Sequence, residues 1–152
     1  MAYAVIRVRG QADVRHDMAR NMELLNLTKV NHCVIVPEDD VTKGMLQKSK
    51  DYITWGEVSP ETVAEMLRSR GRLPGGKALD EEFLKESGFS DLEELAAALA
   101  ESRSKLSNMG AKPVFRLHPP AKGYEGIKRS YRAGGALGYR GEAINDLIMR
   151  MI

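Results

Sequence analysis

Apolar and polar positions alternate at the start of the chain as a half-buried strand requires. Ala4, Ile6 and Val8 fall on one face, and Tyr3, Val5, Arg7 and Arg9 on the other. Tyr3–Arg9 is therefore predicted as a strand ended by Gly10. With two arginines at its end, it is expected to cover a core on one side only. Asp13 stands where a cap belongs, ahead of a helix to Leu25 whose apolar stripe is Val14, Met18, Met22 and Leu25. Arg15 and Arg20 lie off that stripe. Val30–Val36, closed by Pro37, predicts a second strand. Asp39 or Asp40 caps a short helix containing Val41, Met45 and Leu46, and Tyr52–Val58 predicts a third strand. Two successive βα units imply right-handed crossovers, with the helices stacked on one side of a small sheet. The expected fold of residues 1–58 is thus a ferredoxin-like β-α-β-α-β sandwich of the α/β class, whose exposed sheet face is a natural binding surface.

Residues 59–152 read as a mostly helical extension. Ser59-Pro60-Glu61 combines a hydroxyl cap, a first-turn proline and an acid at the positive end of the helix dipole. Val63, Met66 and Leu67 supply its apolar face, and Gly71 is placed to end it as a left-handed cap. Asp80 begins another short helix, which Gly88 stops. Ser90-Asp91-Leu92-Glu93 reads as a capping box for the next, marked by Leu92, Leu95, Ala96, Leu99 and Leu106. Val114–Leu117 has strand character. Residues 119–141 hold Gly123, Gly126, Gly134, Gly135, Gly138 and Gly141 with almost no apolar periodicity, and are expected to form a long basic loop. Ile144, Leu147, Ile148 and Met151 then form the stripe of a terminal helix.

The chain has 152 residues and a net charge of +2, a near-balance that hides a dipolar distribution. Residues 80–101 carry eight acids and one base, a net −7, and the acids are expected on the solvated side of their helices. Residues 112–140 carry seven bases and one acid, a net +6, which suits a polyanionic partner. The longest apolar runs, Met1–Ile6 and Leu95–Ala100, have six residues, far short of the roughly 20 of a membrane span. No basic stretch leads into an apolar run at the start, so no signal peptide is expected. Cys33 is the only cysteine, which fits a reducing cytoplasmic setting and a thiol packed inside its strand.

Catalytic chemistry finds little support. Gly71–Lys77 fits the first seven positions of a phosphate-binding loop, but Ala78 stands where a magnesium-binding hydroxyl belongs, and the loop follows a helix. A basic loop that meets phosphate through Arg70, Arg72 and Lys77 is the better functional reading, beside a plain helix-capping loop. His16, His32 and His118 lack a second metal ligand at a usual spacing. Neither a cofactor nor a small-molecule substrate is expected. The richest constellation is Gly123–Gly135 followed by Tyr139-Arg140-Gly141. Three of the five tyrosines, Tyr124, Tyr131 and Tyr139, stand there among Lys122, Lys128, Arg129, Arg132 and Arg140. Cations pair with phosphates, tyrosine and arginine planes stack on bases, and glycine lets backbone amides approach closely. RNA binding follows, with Lys112 and Arg116 extending the basic segment. Trp55, inside a strand, reads as core.

Four segments together resemble a ribosomal family. They are Arg7-Val8-Arg9-Gly10, Tyr52-Ile53-Thr54-Trp55-Gly56, Arg70-Gly71, and the glycine-basic segment leading into Glu142–Met151. Their order and spacing resemble the large-subunit ribosomal protein family called L-thirty in bacteria and archaea and L-seven in eukaryotes. The first 58 residues look like the whole bacterial form, and the rest like the extension of archaeal and eukaryotic members. With a strand beginning at Tyr3, the long basic arm of the eukaryotic form is not expected, which suggests the archaeal type. The resemblance implies a structural, non-catalytic protein of the cytoplasmic ribosome. It would bind large-subunit rRNA near the 5S rRNA side, with neighbouring ribosomal proteins as further partners. Arg7, Arg9 and Arg15, the last off the apolar stripe of its helix, also stand among the RNA-binding candidates. The alternatives are a non-ribosomal RNA-binding module and, more remotely, a nucleotide-binding enzyme using the 71–77 loop.

Overall fold

The computed structural model describes residues 2–152 apart from Gln11, Asp13, Pro74 and 103–110. Among the described residues the elements follow in order: β1 (Ala2–Arg7), α1 (His16–Leu24), β2 (His32–Pro37), α2 (Asp40–Lys48), β3 (Ile53–Glu57), α3 (Pro60–Arg70), α4 (Glu81–Ser87), α5 (Leu92–Ala100), β4 (Val114–Arg116), β5 (Gly126–Ser130), a 3-10 turn (Tyr131–Ala133), β6 (Gly135–Tyr139) and α6 (Ala143–Met151). The strands form one six-stranded sheet in the order β4-β2-β1-β3-β6-β5.

The class is the expected α/β, but the strand directions correct the crossover expectation. β1 is antiparallel to both neighbours, with Tyr3 opposite Val36 and Glu57, and Ile6 opposite Cys33 and Thr54. β2 and β3 therefore run in the same direction with β1 inserted between them. The handedness rule for parallel crossovers does not apply to the β1-α1-β2 connection.

Both faces of β1 are buried, which overturns the one-sided reading. Tyr3 and Val5 pack with Met22, Leu25, Leu46, Ile53 and Trp55, the core under α1 and α2. Ala2, Ala4 and Ile6 pack with Val63, Met66, Leu67, Leu95, Leu99, Ile144, Leu147 and Ile148, the core under the helices that follow β3. The sheet face expected to be free for binding is thus covered by α3 to α6. Cys33 and Phe115 face each other across β2 and β4 in that second core. Burial pushes the Cys33 thiol up to about 12, so it stays protonated and unreactive.

Local signals account for most helix ends. Asp39 accepts from Thr42 N at 2.7 Å, Asp80 from Phe83 N at 2.9 Å and Ser59 from Thr62 N at 3.3 Å. Gly88 closes α4 in the left-handed region, at φ 83°. The capping box is displaced by one residue. Asp91, not Ser90, caps α5 by accepting from Glu94 N, while Glu94 reaches back to Ser90 N at 2.9 Å. Of the α2 positions, Leu46 is buried but Val41 is exposed. Asp13 and Leu106 lie outside the described residues, and α1 starts after Arg15.

Gly71 follows α3 in an extended conformation, φ −63° and ψ 135°, not the left-handed one expected. Glycine serves it for space: an added Cβ would stand 2.5 Å from Leu67 O. Gly56 is tighter still, since a Cβ there would meet Gly141 O at 1.9 Å. That contact, with Asn145 Nδ2 donating to Glu57 O at 3.2 Å, seats the start of α6 on β3.

The 119–141 segment departs furthest from expectation. It carries β5, the 3-10 turn and β6. β6 runs parallel to β3, with Thr54 opposite Gly138 and Trp55 opposite Tyr139. β5 joins β6 through the pairs Gly126–Gly135 and Ser130–Leu137, with an irregular stretch between. Gly135, Ala136 and Leu137 are buried while every residue of β5 is exposed, so the apolar anchor is too short to show as a period.

Candidate nucleic-acid interface

α3 ends in Arg68 and Arg70, at the carbonyl end of the helix where cations are favoured. The chain then folds back in a tight hairpin. Arg72 and Ala78 form an antiparallel bridge, and Leu73 N donates to Lys77 O at 2.6 Å. Gly75 and Gly76 take φ of 89° and 82°, which a side chain would resist. Lys112 N donates to Arg72 O at 2.9 Å and ties this hairpin to the approach to β4. The result brings Arg70, Arg72, Lys112 and Arg116 around one cavity of about 220 Å³, with Gly76 and Val114 completing the wall. Among the described residues, no carboxylate lines it. Four cations around a concavity concentrate positive potential where a phosphate group would sit. The loop joins a helix to a hairpin, not a strand to a helix, so it lacks the geometry of a nucleotide-cradling loop.

His32 lies opposite Arg116 across the β2–β4 ladder. Burial first, then the charges of Arg116, Lys29 and Arg7, hold its imidazole below the usual histidine range. The neighbourhood is electropositive beyond the four cavity residues.

The second basic surface is the segment leading into β5 and on through the 3-10 turn, at the opposite edge of the sheet, where β5 runs parallel to β6. Lys122, Lys128, Arg129 and Arg132 are all exposed along it. Arg140 turns inward: its Nε donates to Thr54 Oγ1 and its NH2 to Ala136 O, each at 2.9 Å. Its guanidinium also stands 4.9 Å from the centre of the Tyr131 ring. Arg140 thus braces β6 and the 3-10 turn from beneath. Tyr124 is half-buried, donating to Asn31 Oδ1 at 2.6 Å.

A groove runs between this segment and α2. Its walls carry Lys43, Gln47, Lys50, Tyr131, Arg132 and Tyr139, above the edge of Trp55. Tyr139 meets Tyr3 edge-on and Trp55 at a tilt, both with centroids 6.4 Å apart. The Tyr139 hydroxyl donates to Glu57 and the Tyr3 hydroxyl to Glu38. The hydrogen bond to Glu57, with burial, pushes Tyr139 up to about 12. Burial, with the hydrogen bond to Glu38, does the same for Tyr3. Both rings stay neutral.

The remaining candidates scatter. Arg7 is buried, donating to Leu27 O at 2.8 Å and Arg9 O at 2.9 Å, and it braces the β1–α1 and α1–β2 connections. Arg9 is half-buried over the Tyr52 ring, 5.1 Å from its centre. Arg15 is exposed ahead of α1 and pairs with Asp17 at 3.1 Å. Lys77 is exposed at the tip of the 72–78 hairpin. Residue-by-residue reading missed Lys43, Gln47 and Lys50. The spacing of Lys43 and Gln47, which places both on one side of α2, was the available signal, while Lys50 lies just past the helix end. The acids of the 80–101 region lie on the exposed sides of α4 and α5, as expected; Glu93 pairs with Arg68 at 2.8 Å.

Comparison with known proteins agrees with this architecture. The profile of ribosomal protein L30p/L7e matches residues 3–53. The large ribosomal subunit protein uL30 of Nanoarchaeum equitans is 52% identical over 152 residues, covering 99% of this chain and 98% of its own. That of Methanosphaera stadtmanae is 48% identical over 151 residues, with 99% of each chain covered. That of Methanococcus vannielii is 50% identical over 154 residues, with both chains covered in full. Near-complete coverage at half identity extends the likeness through the helices and the basic β5–β6 segment beyond the profile. The chain therefore belongs to the ribosomal protein L30p/L7e family, in its archaeal form.

Proposed function

We propose that the chain is a structural component of the large subunit of the cytoplasmic ribosome that binds and stabilises rRNA. The observation that carries this is the convergence of Arg70, Arg72, Lys112 and Arg116 on one concavity with no carboxylate among its described lining residues. The exposed basic segment around β5 adds a second surface. β4 and β5 stand at opposite edges of the sheet, five strand spacings or roughly 24 Å apart. Two basic surfaces at that separation suit two RNA segments better than one phosphate. The large-subunit rRNA is the principal partner, with 5S rRNA and neighbouring ribosomal proteins beside it. The exposed acids of α4 and α5 face away from phosphate, or meet a basic protein neighbour, because an RNA backbone would repel them. The division of the chain at residue 58 belongs to the same reading; in its support, the family profile ends at residue 53.

The test is a filter-binding titration with large-subunit rRNA fragments over a range of salt concentrations. Neutralising about six phosphates gives a slope of log K against log salt of roughly −4 to −5. A slope near zero would rule out phosphate-dominated binding.

A further inference from the structure

We propose that the groove between α2 and the basic β5–β6 segment receives an unpaired nucleotide of the bound RNA, its base against Tyr131 and Tyr139 and its flanking phosphates near Lys43, Lys50 and Arg132. The proposal rests on the RNA-binding reading and names what this groove takes.

Three observations point to a flat, anionic occupant. Tyr131 and Tyr139 each keep 40% of their surface exposed although both are held in place. Tyr131 is held by the Arg140 guanidinium on its ring, and Tyr139 by Tyr3, Trp55 and the hydrogen bond to Glu57. Rings already fixed lose little freedom when a base stacks on them. The space they border is sized for a small planar group: two adjoining cavities of about 240 and 280 Å³ that share Trp55, Arg132 and Tyr139. Cations line both cavities, Lys43 and Arg132 on one and Lys50 and Arg132 on the other, while Glu38 and Glu57 take the tyrosine hydroxyls at the Tyr3–Tyr139 end. A duplex keeps its bases stacked inside and offers only backbone to such a cleft. A single-stranded loop or bulge can splay a base into it.

Trp55 is the only tryptophan in the chain and borders both cavities, so its emission reports occupancy directly. The full-length protein is titrated at low salt with a short single-stranded RNA and with the duplex of the same sequence. The single strand is expected to quench Trp55 emission and the duplex to leave it nearly unchanged. Tyr131→Ala with Tyr139→Ala should weaken single-strand binding about 5- to 100-fold, at the usual worth of base–aromatic stacking. Tyr131→Phe with Tyr139→Phe, which keeps both rings, should retain it and covers the case in which the alanine variant fails to fold. Equal quenching by duplex and single strand, or loss of binding in the phenylalanine variant, would overturn the proposal. Filter binding of an rRNA fragment to the same protein separates the two levels. Salt-dependent binding without Trp55 quenching sinks the groove alone, whereas no binding sinks the RNA reading beneath it.

Discussion

Replacing Arg70, Arg72, Lys112 and Arg116 together with glutamine is expected to weaken rRNA binding on the order of a thousandfold at 0.15 M salt, and to make the salt slope shallower by about 3. Each of the four lines the same cavity and is free to neutralise one phosphate. Counterion release makes such contacts roughly additive in the slope, while the uncharged replacements keep most of the side-chain length. The fold should survive. Arg72 donates to the neighbouring Gly71 O at 2.8 Å, a contact glutamine can partly replace, and Arg116 is exposed. Circular-dichroism melts of the same variant check that point. An unchanged slope would mean that the cavity lies away from RNA. By contrast, a single Arg7 substitution should act on stability, because its guanidinium is spent on backbone carbonyls.

Phe115→Ala is expected to cost about 3–5 kcal/mol, the usual range for emptying a buried phenylalanine site. Phe115 is 1% exposed and belongs to the core under α3 to α6, beside Cys33 across the ladder. β4 has only three residues, pairs on one side with β2 and buries only Phe115, with Leu117 N donating to Asn31 O and His118 N to Met151 O just beyond it. The melting temperature should fall by about 10 °C, at roughly 2–4 °C per kcal/mol for a chain of this size. The functional consequence is the more telling one. Lys112 and Arg116 flank Phe115 and reach the basic cavity only while β4 is docked. RNA affinity should therefore drop in a variant that keeps every charge. A Phe115→Ala protein with unchanged melting temperature and RNA affinity would show that β4 is held by something other than this ring.

Elements with a strong local signature were legible in the sequence. The α6 stripe of Ile144, Leu147, Ile148 and Met151 is fully buried, and the caps at Asp39, Ser59 and Asp80 bond as their spacing predicts. What depends on distant partners was not. β1 alternates Ala4, Ile6 and Val8 with Tyr3, Val5 and Arg7, and nothing local says that later helices will cover the first set. β6 is buried through Gly135, Ala136 and Leu137, of which only the last two carry side chains, and is fixed by Thr54 Oγ1 donating to Gly138 O at 2.8 Å and by Arg140. Neither bond leaves a period in the chain. The interface shows the same division. Arg70 and Arg116 were separately legible as basic residues, but their meeting depends on a hairpin and a strand separated in sequence by more than thirty residues. Arg7 and Arg140 show the converse, since a guanidinium that satisfies buried carbonyls has the same sequence signature as one that faces phosphate.

The most direct measurement of the central claim is sucrose-gradient sedimentation of ribosomes from cells that express the tagged chain, with and without a moderate salt wash. An rRNA-binding component of the large subunit sediments with the large-subunit peak and stays there through the wash. Recovery of the chain at the top of the gradient, or with the small subunit only, would contradict that assignment.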